Sequence, residues 1–337
     1  ASNQKSIESI LSKMSPGKNK NNYSKDEVKY VKSLETEKKN LSNLIKKTDE
    51  MIKFIDIEST KGTKDNIVEE TGDVYLVIQF LSMSCDIFRD EILASLKKHV
   101  KPDFIYERSD ANRAKEGLED KNGWIGKPGN EQIVILENDV RLCVDIANGQ
   151  KTGYFLDQKF NRKEAAKYCH GKKVLDTFTH TGAFGLNACM AGAREVTSVD
   201  ISEDAVAMVN NNICLNKKEN VMKAVCADVF DLLKQYEEQG EKFDVIILDP
   251  PAFTKSAKMI EKAYGGYKEI NLRAMRLLNE GGILVTCSCS HFFDSNTFYD
   301  MLMHAAKDSH KSVQILEKRG AGPDHPVLAG YPKSEYL

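Results

Sequence analysis

The apolar positions change rhythm near residue 172, and that change organises the chain. From Lys172 onward, short continuous apolar runs alternate with stretches of helical period. Val174-Leu175-Asp176 is such a run, followed by a glycine turn and a predicted helix over 184–190. Residues 196–200 read as a strand and 202–216 as a helix with Ser202 at its N-cap. Residues 221–226, 245–248 and 283–287 read as further strands, separated by helical stretches. Alternation of this kind builds a parallel sheet with helices on both faces, the doubly wound, Rossmann-like α/β class. Ligands of such sheets bind beyond the carboxyl ends of the strands, near the topological switch point. Chemistry is therefore expected just after each strand.

Upstream the pattern is finer. Residues 74–81 and 104–108 read as strands with a helix over 87–99 between them. Residues 133–136 and 141–145 flank Glu137-Asn138-Asp139, which has the composition of a hairpin turn. The stretch 111–130, with the only tryptophan, Trp124, reads as a loop. The expected organisation is a small α+β domain over 66–150 and the doubly wound domain over 151–337. Ahead of both, over 1–65, Val28, Val31, Leu34, Leu41, Leu44 and Ile45 recur at helical spacing in charged surroundings, as in a helical lead or connector. Residues 1–60 hold twelve lysines, no arginine and nine acidic residues, a near balance that favours a solvated connector over an RNA-binding arm.

Composition narrows the class. A net charge of -2 supplies no global pull toward nucleic acid, so an RNA-binding surface must be a local patch. No apolar run approaches the roughly 20 residues of a membrane span, and no membrane association is expected. The polar N-terminus lacks the apolar core of a signal peptide. Of the eight cysteines, Cys143, Cys189 and Cys226 sit in apolar segments, as buried thiols do. Free thiols in a reducing compartment are expected, hence a cytoplasmic protein.

The turn Asp176-Thr177-Phe178-Thr179-His180-Thr181-Gly182 places an acid at a strand end before a small-residue turn that opens a helix. It has neither the three glycines of a dinucleotide site nor the GK[ST] of a P-loop. A single Gly182 beside Thr181 suits a ligand with no pyrophosphate to wrap, such as S-adenosylmethionine. Asp176 would then face the cationic amino end of the ligand. Asp200, after the next strand, can accept from ribose hydroxyls, with Ile201 against the adenine. In Ala227-Asp228-Val229, Asp228 can accept from the adenine amine. Each acid alone is more often a cap or a surface residue, whereas three in register after three strands form a stronger signal. NAD is the rival cofactor, and the missing glycines count against it.

After the fourth strand, Asp249-Pro250-Pro251-Ala252-Phe253 forms a rigid extended turn that holds carboxylate and carbonyls toward the crevice. Methyltransferases that act on planar nitrogenous groups grip a base edge this way, making Pro250, Pro251 and Phe253 candidates for substrate contact. The next strand runs into Thr286-Cys287-Ser288-Cys289-Ser290-His291. Strand alternation puts Cys287, Cys289 and His291 on one face if the strand continues that far. Zinc would need a fourth ligand that the sequence does not offer, and no metal is expected. Core packing explains Cys287, and a nucleophilic thiolate best explains Cys289, further out toward the substrate edge. Thiolate addition to C6 of a pyrimidine makes C5 able to take a methyl group, after which a base, with Asp249 at hand, removes the C5 proton. Transfer to nitrogen or oxygen needs no cysteine.

These segments, with Lys151 to Gln158, Gly266-Tyr267-Lys268-Glu269-Ile270-Asn271-Leu272 and Gly320-Ala321-Gly322-Pro323-Asp324-His325-Pro326-Val327, resemble the ribosomal RNA large-subunit methyltransferase I family, cytosine-C5 enzymes. The resemblance covers about 66 to 337. It implies S-adenosylmethionine as cofactor and RNA, of the ribosome, as substrate. It places Phe155, Asp157 and Arg162 at the cofactor border and makes Cys289 the nucleophile, although both cysteines of the motif occur in part of the family. It offers Tyr267, Lys268, Asn271 and His325 as candidates for substrate contact, with structural hydrogen bonding as the alternative. Two departures accompany it. The family's N-terminal RNA-holding PUA domain has no matching glycine-and-strand pattern here, and the family continues beyond Leu337 with one more strand. The expected function is methylation of cytosine C5 in RNA. The alternatives are another RNA or base as target, or a non-catalytic RNA- or cofactor-binding module, and a homo-oligomer is left open.

Overall fold

The computed structural model describes residues 73–110, 113–150, 153–254, 257–290 and 292–325. The expected helical lead over 1–65 lies outside them, as does His291. The described chain forms two compact units, one up to Gly129 and one from Asn130.

In the first unit, β1 (Tyr75–Ile78) pairs in parallel with β2 (Phe104–Ser109). The crossover holds α1 (Met83–Ile87) and α2 (Arg89–Val100). The Ser82 side chain caps α1 by accepting from Cys85 N at 3.3 Å. Phe80, Leu93 and Ile105 form a core, and the buried Arg113 guanidinium donates to the Phe80 and Glu119 carbonyls. The stretch expected to be a loop contains β3 (Lys121–Trp124), antiparallel to β2. Its sequence has no alternation. Its place comes from pairing, with Trp124 opposite Tyr106 and the two rings edge to face at 4.9 Å.

The second unit opens with a hairpin of β4 (Gln132–Glu137) and β5 (Val140–Asp145). Asn138 and Asp139 turn it with φ of 51° and 65°, the left-handed pair that a two-residue turn requires. A domain boundary at 150 was expected, yet the hairpin belongs with the residues that follow it. The reason is a pair of asparagines far along the chain. Asn212 Oδ1 accepts from Cys143 N at 2.7 Å and its Nδ2 donates to Cys143 O, while Asn216 serves Arg141 N and O in the same way.

After α3 (Lys159–Ala166), strands and helices alternate as expected: β6 (Lys173–Thr177), α4 (Ala183–Met190), β7 (Glu195–Asp200), α5 (Glu203–Leu215), β8 (Met222–Cys226) and α6 (Val229–Glu238). Then come β9 (Phe243–Leu248), α7 (Ile260–Leu277), β10 (Leu278–Thr286) and α8 (Ser295–Ser309). The five strands are parallel in the order β10-β9-β6-β7-β8. Val245 to Leu248 are buried without exception, which is why the strand reads as a continuous apolar run. Strand order reverses between β6 and β9, opening the crevice at their carboxyl ends. Register aligns Thr177 with Leu248 and Val199, Leu248 with Thr286, and Asp200 with Cys226, so all five strand ends reach one level. Among the described residues, no helix is long and apolar enough to cross a membrane.

Candidate active site

The turn after β6 is wound tightly. Phe178, His180 and Gly182 all have positive φ, of 56°, 53° and 81°. Left-handed backbone costs a residue with a side chain about 1–2 kcal/mol, so surrounding contacts must hold the turn. Asp176 is the chief of these. Fully buried, its Oδ2 accepts from Thr179 Oγ1, from Ser198 Oγ at 2.9 Å and from Gly185 N at 3.0 Å. A Cβ on Gly185 would collide with that Ser198 hydroxyl, so only glycine permits this arrangement. Burial pushes the Asp176 carboxyl up to about 6 against the pull of its donors. Its Oδ1 is buried with no hydrogen-bond partner.

Asp200 continues the pattern one strand on. Its Oδ2 accepts from His180 N at 2.9 Å and its Oδ1 from Ser202 N at 3.1 Å. Ile201 stands 66% exposed next to it, an apolar face presented at the mouth of the crevice. Asp228 is exposed and caps α6, accepting from Phe230 N at 2.8 Å. Val229 is sealed in the sheet core with Leu232 and Leu233. Thr181 is also buried, and its carbonyl accepts from Asn212 Nδ2 at 2.9 Å. Gly182 opens α4.

Facing these, a 3-10 turn over Leu156–Gln158 follows Phe155, whose ring meets His180 edge to face at 5.1 Å. Arg162 does not line the crevice as a free cation. It is buried, with Nε and Nη2 on the Glu137 carboxylate at 2.6 and 2.9 Å and Nη2 also on the Phe155 carbonyl at 2.9 Å. Tyr154 adds its hydroxyl to the same carboxylate at 2.9 Å and lies under the guanidinium, 4.6 Å from ring centre. Sequence reasoning missed Glu137 as a partner because its position in a turn motif carries no sign of pairing 25 residues later. Asp157 is anchored from the far end of the chain, its carbonyl accepting from Gly322 N at 3.1 Å. His325, exposed, reaches Asp324 through Nδ1 at 3.1 Å.

On the other flank, β10 stops at Thr286, and one further ladder bond, Cys287 N to Leu248 O at 2.8 Å, ends the pairing. The strand does not persist to Cys289, so the condition for placing Cys287 and Cys289 on one strand face is not met. Beyond the strand, side chains tie the loop to the segment after β9. Cys289 Sγ donates to the Pro250 carbonyl at 3.4 Å, and Ser290 Oγ to the Thr254 carbonyl at 3.1 Å. The Cys287 thiol is pushed well above its ordinary value by burial, with the Asp249 carboxylate hydrogen-bonded to it and Asp157 also within electrostatic reach. Asp249 is half-buried, Pro250 buried and Pro251 exposed.

The helix α7 carries the three residues expected as substrate candidates. Tyr267 and Asn271 are fully buried, and Lys268 Nζ pairs with Asp308 on α8 at 2.5 Å. Phe253 stacks on Tyr267 with ring centres 4.5 Å apart. All eight cysteines are free thiols. Among the described residues, no cluster of three or more His, Cys, Asp or Glu is placed to hold a metal ion.

Three acids at adjacent strand ends, an orphaned buried oxygen on Asp176 and the exposed Ile201 fit a ligand with a cationic end, a ribose and a flat apolar ring. Comparison with known proteins agrees. A family model described as S-adenosylmethionine-dependent methyltransferase matches residues 113–332. The chain is 44% identical over 266 residues to the ribosomal RNA large subunit methyltransferase I of Aeromonas salmonicida, covering 78% of this chain and 67% of that one. It is 45% identical over 267 residues to the protein of the same name from Aeromonas hydrophila, with the same coverage. Among solved structures, one from Streptococcus mutans described as a SAM-dependent methyltransferase superposes with a TM-score of 0.70 at 22% identity, covering 87% of this chain and 79% of that one. A structure described as a methyltransferase complexed with SAH has the same TM-score and identity, covering 87% and 80%, and attests the fold. The acids in register, the cysteine loop facing them and these matches converge: the chain belongs to the S-adenosylmethionine-dependent methyltransferases and, within them, to the ribosomal RNA large subunit methyltransferase I family.

Proposed function

We propose that this chain methylates C5 of a cytosine in large-subunit ribosomal RNA, with Cys289 as a covalent nucleophile. The ribosomal substrate is drawn from the relatives. The observation that carries the C5 target is the thiol of Cys289, held 3.4 Å from the Pro250 carbonyl beside the Asp249 loop.

When bound, S-adenosylmethionine supplies an electrophilic methyl group. Asp176, Asp200, Ile201 and Asp228 would hold it, with Phe155 and Asp157 across the crevice. The remaining work falls to this chain's residues and the base. Carbon 5 of cytosine is a poor nucleophile. The Cys289 thiolate adds to C6, forming a sulfur–carbon bond and turning the C5=C6 pair into an enamine able to accept a methyl group at C5. A base then takes the C5 proton, the electron pair re-forms C5=C6, and the thiolate leaves. Asp249, fixed in direction by Pro250 and Pro251, is the carboxylate next to this chemistry. Cys287 is the rival nucleophile, and its burial together with the neighbouring Asp249 carboxylate raises its thiol above the ordinary value, which counts against it. Free thiols and a ribosomal substrate both suit the cytoplasm.

The test is incubation with radiolabelled S-adenosylmethionine and unmodified ribosomal RNA, followed by digestion and identification of the labelled nucleoside. Label in 5-methylcytidine that disappears in Cys289→Ala, with cofactor binding retained, is the expected result. Label in another nucleoside, or wild-type turnover in Cys289→Ala, would overturn the reading.

A further inference from the structure

Tyr267 lies behind both loops on the substrate side and is sealed from solvent, so it cannot touch RNA. Its ring is sandwiched. On one face is Phe253, from the loop that carries Asp249, at 4.5 Å between centres and 39° between planes. On the other is Phe293, which closes the cysteine loop, at 4.8 Å and 29°. Its hydroxyl accepts a hydrogen bond from Ser288 Oγ at 3.4 Å. Ser288 Oγ in turn accepts from Ser290 N at 3.4 Å, so one serine side chain spans Cys289 and is bonded on either side of it. The two loops are also joined directly, by Cys289 to the Pro250 carbonyl and Ser290 to the Thr254 carbonyl. The helix beneath is stiffened at this point, where Asn271 Nδ2 donates to the Tyr267 carbonyl at 2.8 Å. Core packing alone needs only the ring. A phenylalanine would fill the slot without the cost of burying a hydroxyl.

We propose that Tyr267 is a positioning residue for Cys289, setting through Ser288 where the thiol stands relative to the Asp249–Pro250 loop. The inference rests on the reading of Cys289 as nucleophile. It replaces the substrate contact expected of Tyr267 by an indirect role. Displacing a reacting atom by a fraction of its reach lowers turnover without weakening ground-state binding.

Two substitutions remove the same bond from opposite ends. Tyr267→Phe keeps the sandwiched ring, and Ser288→Ala removes the donor. Each is expected to lower kcat roughly tenfold, the factor that one net hydrogen bond represents. The KM for RNA and the affinity for S-adenosylmethionine should stay at wild-type values. Each should also change the rate at which iodoacetamide alkylates Cys289, read on that peptide by mass spectrometry. The double variant should lose less than the product of the two single effects, since the two side chains share one contact. Wild-type turnover and alkylation in Tyr267→Phe would overturn the proposal. So would single effects that multiply in the double variant, or a parallel loss of cofactor affinity, which would mark general loosening. Turnover retained in Cys289→Ala would instead overturn the nucleophile reading and the catalytic half of this proposal, while the alkylation rates still decide whether Tyr267 positions the loop.

Discussion

Asp176 is a carboxylate without solvent, and its position makes acidity a lever on the site. Burial raises it to about 6, with the nearby Asp200 charge adding to the effect. Between the usual carboxylate range and about 6, the folded chain keeps a proton that the unfolded chain has released. Stability contributed by this group therefore falls as pH rises through that window and stays low above it. In the proposed site cofactor affinity runs the opposite way, because a cationic end facing Asp176 would require the ionised carboxylate. Affinity measured calorimetrically is expected to weaken as pH drops from about 7.5 to about 5, and Asp176→Asn should bind weakly at both. An affinity unchanged over that range would remove Asp176 from contact with the cationic end. The acid itself is legible in the sequence, as the last polar residue of an apolar run. Its donors are not. Ser198 and Gly185 reach it from other elements, and no local pattern marks a serine in mid-strand as a partner 22 residues away.

At the scale of elements, the β4–β5 hairpin does more than decorate the second unit. Glu137, its last β4 residue, is the carboxylate hydrogen-bonded to the buried Arg162, and Arg162 holds the Phe155 carbonyl in turn. Breaking a buried ion pair from one side leaves an uncompensated charge, at a cost of about 3–5 kcal/mol. Glu137→Gln is therefore expected to lower the urea midpoint strongly and to weaken S-adenosylmethionine binding through Phe155. A stability within error of wild type would show that Arg162 finds its counter-charge elsewhere. The hairpin and its Asn138-Asp139 turn are readable from alternation and turn chemistry. Its allegiance is not, because Asn212 and Asn216 hold it from 69 and 75 residues away. The strand β3 escaped for a related reason: Lys121-Asn122-Gly123-Trp124 has no hydrophobic face of its own and becomes a strand only against β2.

At the scale of the whole molecule, all five parallel strands were legible, most closely the interior β9, whose buried run Val245 to Leu248 is continuously apolar, and least closely the edge strand β10, whose early, exposed residues carry no apolar signal. Their shared carboxyl end predicts where a ligand protects the backbone. Hydrogen exchange with S-adenosylhomocysteine is expected to slow at 178–185, 200–202 and 227–230, and to leave the opposite strand ends at Lys173, Glu195 and Phe243 unchanged. Protection at the opposite ends would put the ligand on the wrong side of the sheet.

The order β10-β9-β6-β7-β8 also divides inheritance. The acids proposed for the cofactor hang from β6, β7 and β8, while the Asp249 and Cys289 loops hang from β9 and β10, on the other side of the reversal. The two flanks meet in the sheet at one seam, where β6 pairs with β9. In the proposed site, substitutions in the β9 and β10 loops therefore bear on the recipient and those in the β6, β7 and β8 loops on the donor. A sheet wound outward from its centre lets descent change the recipient while keeping the donor.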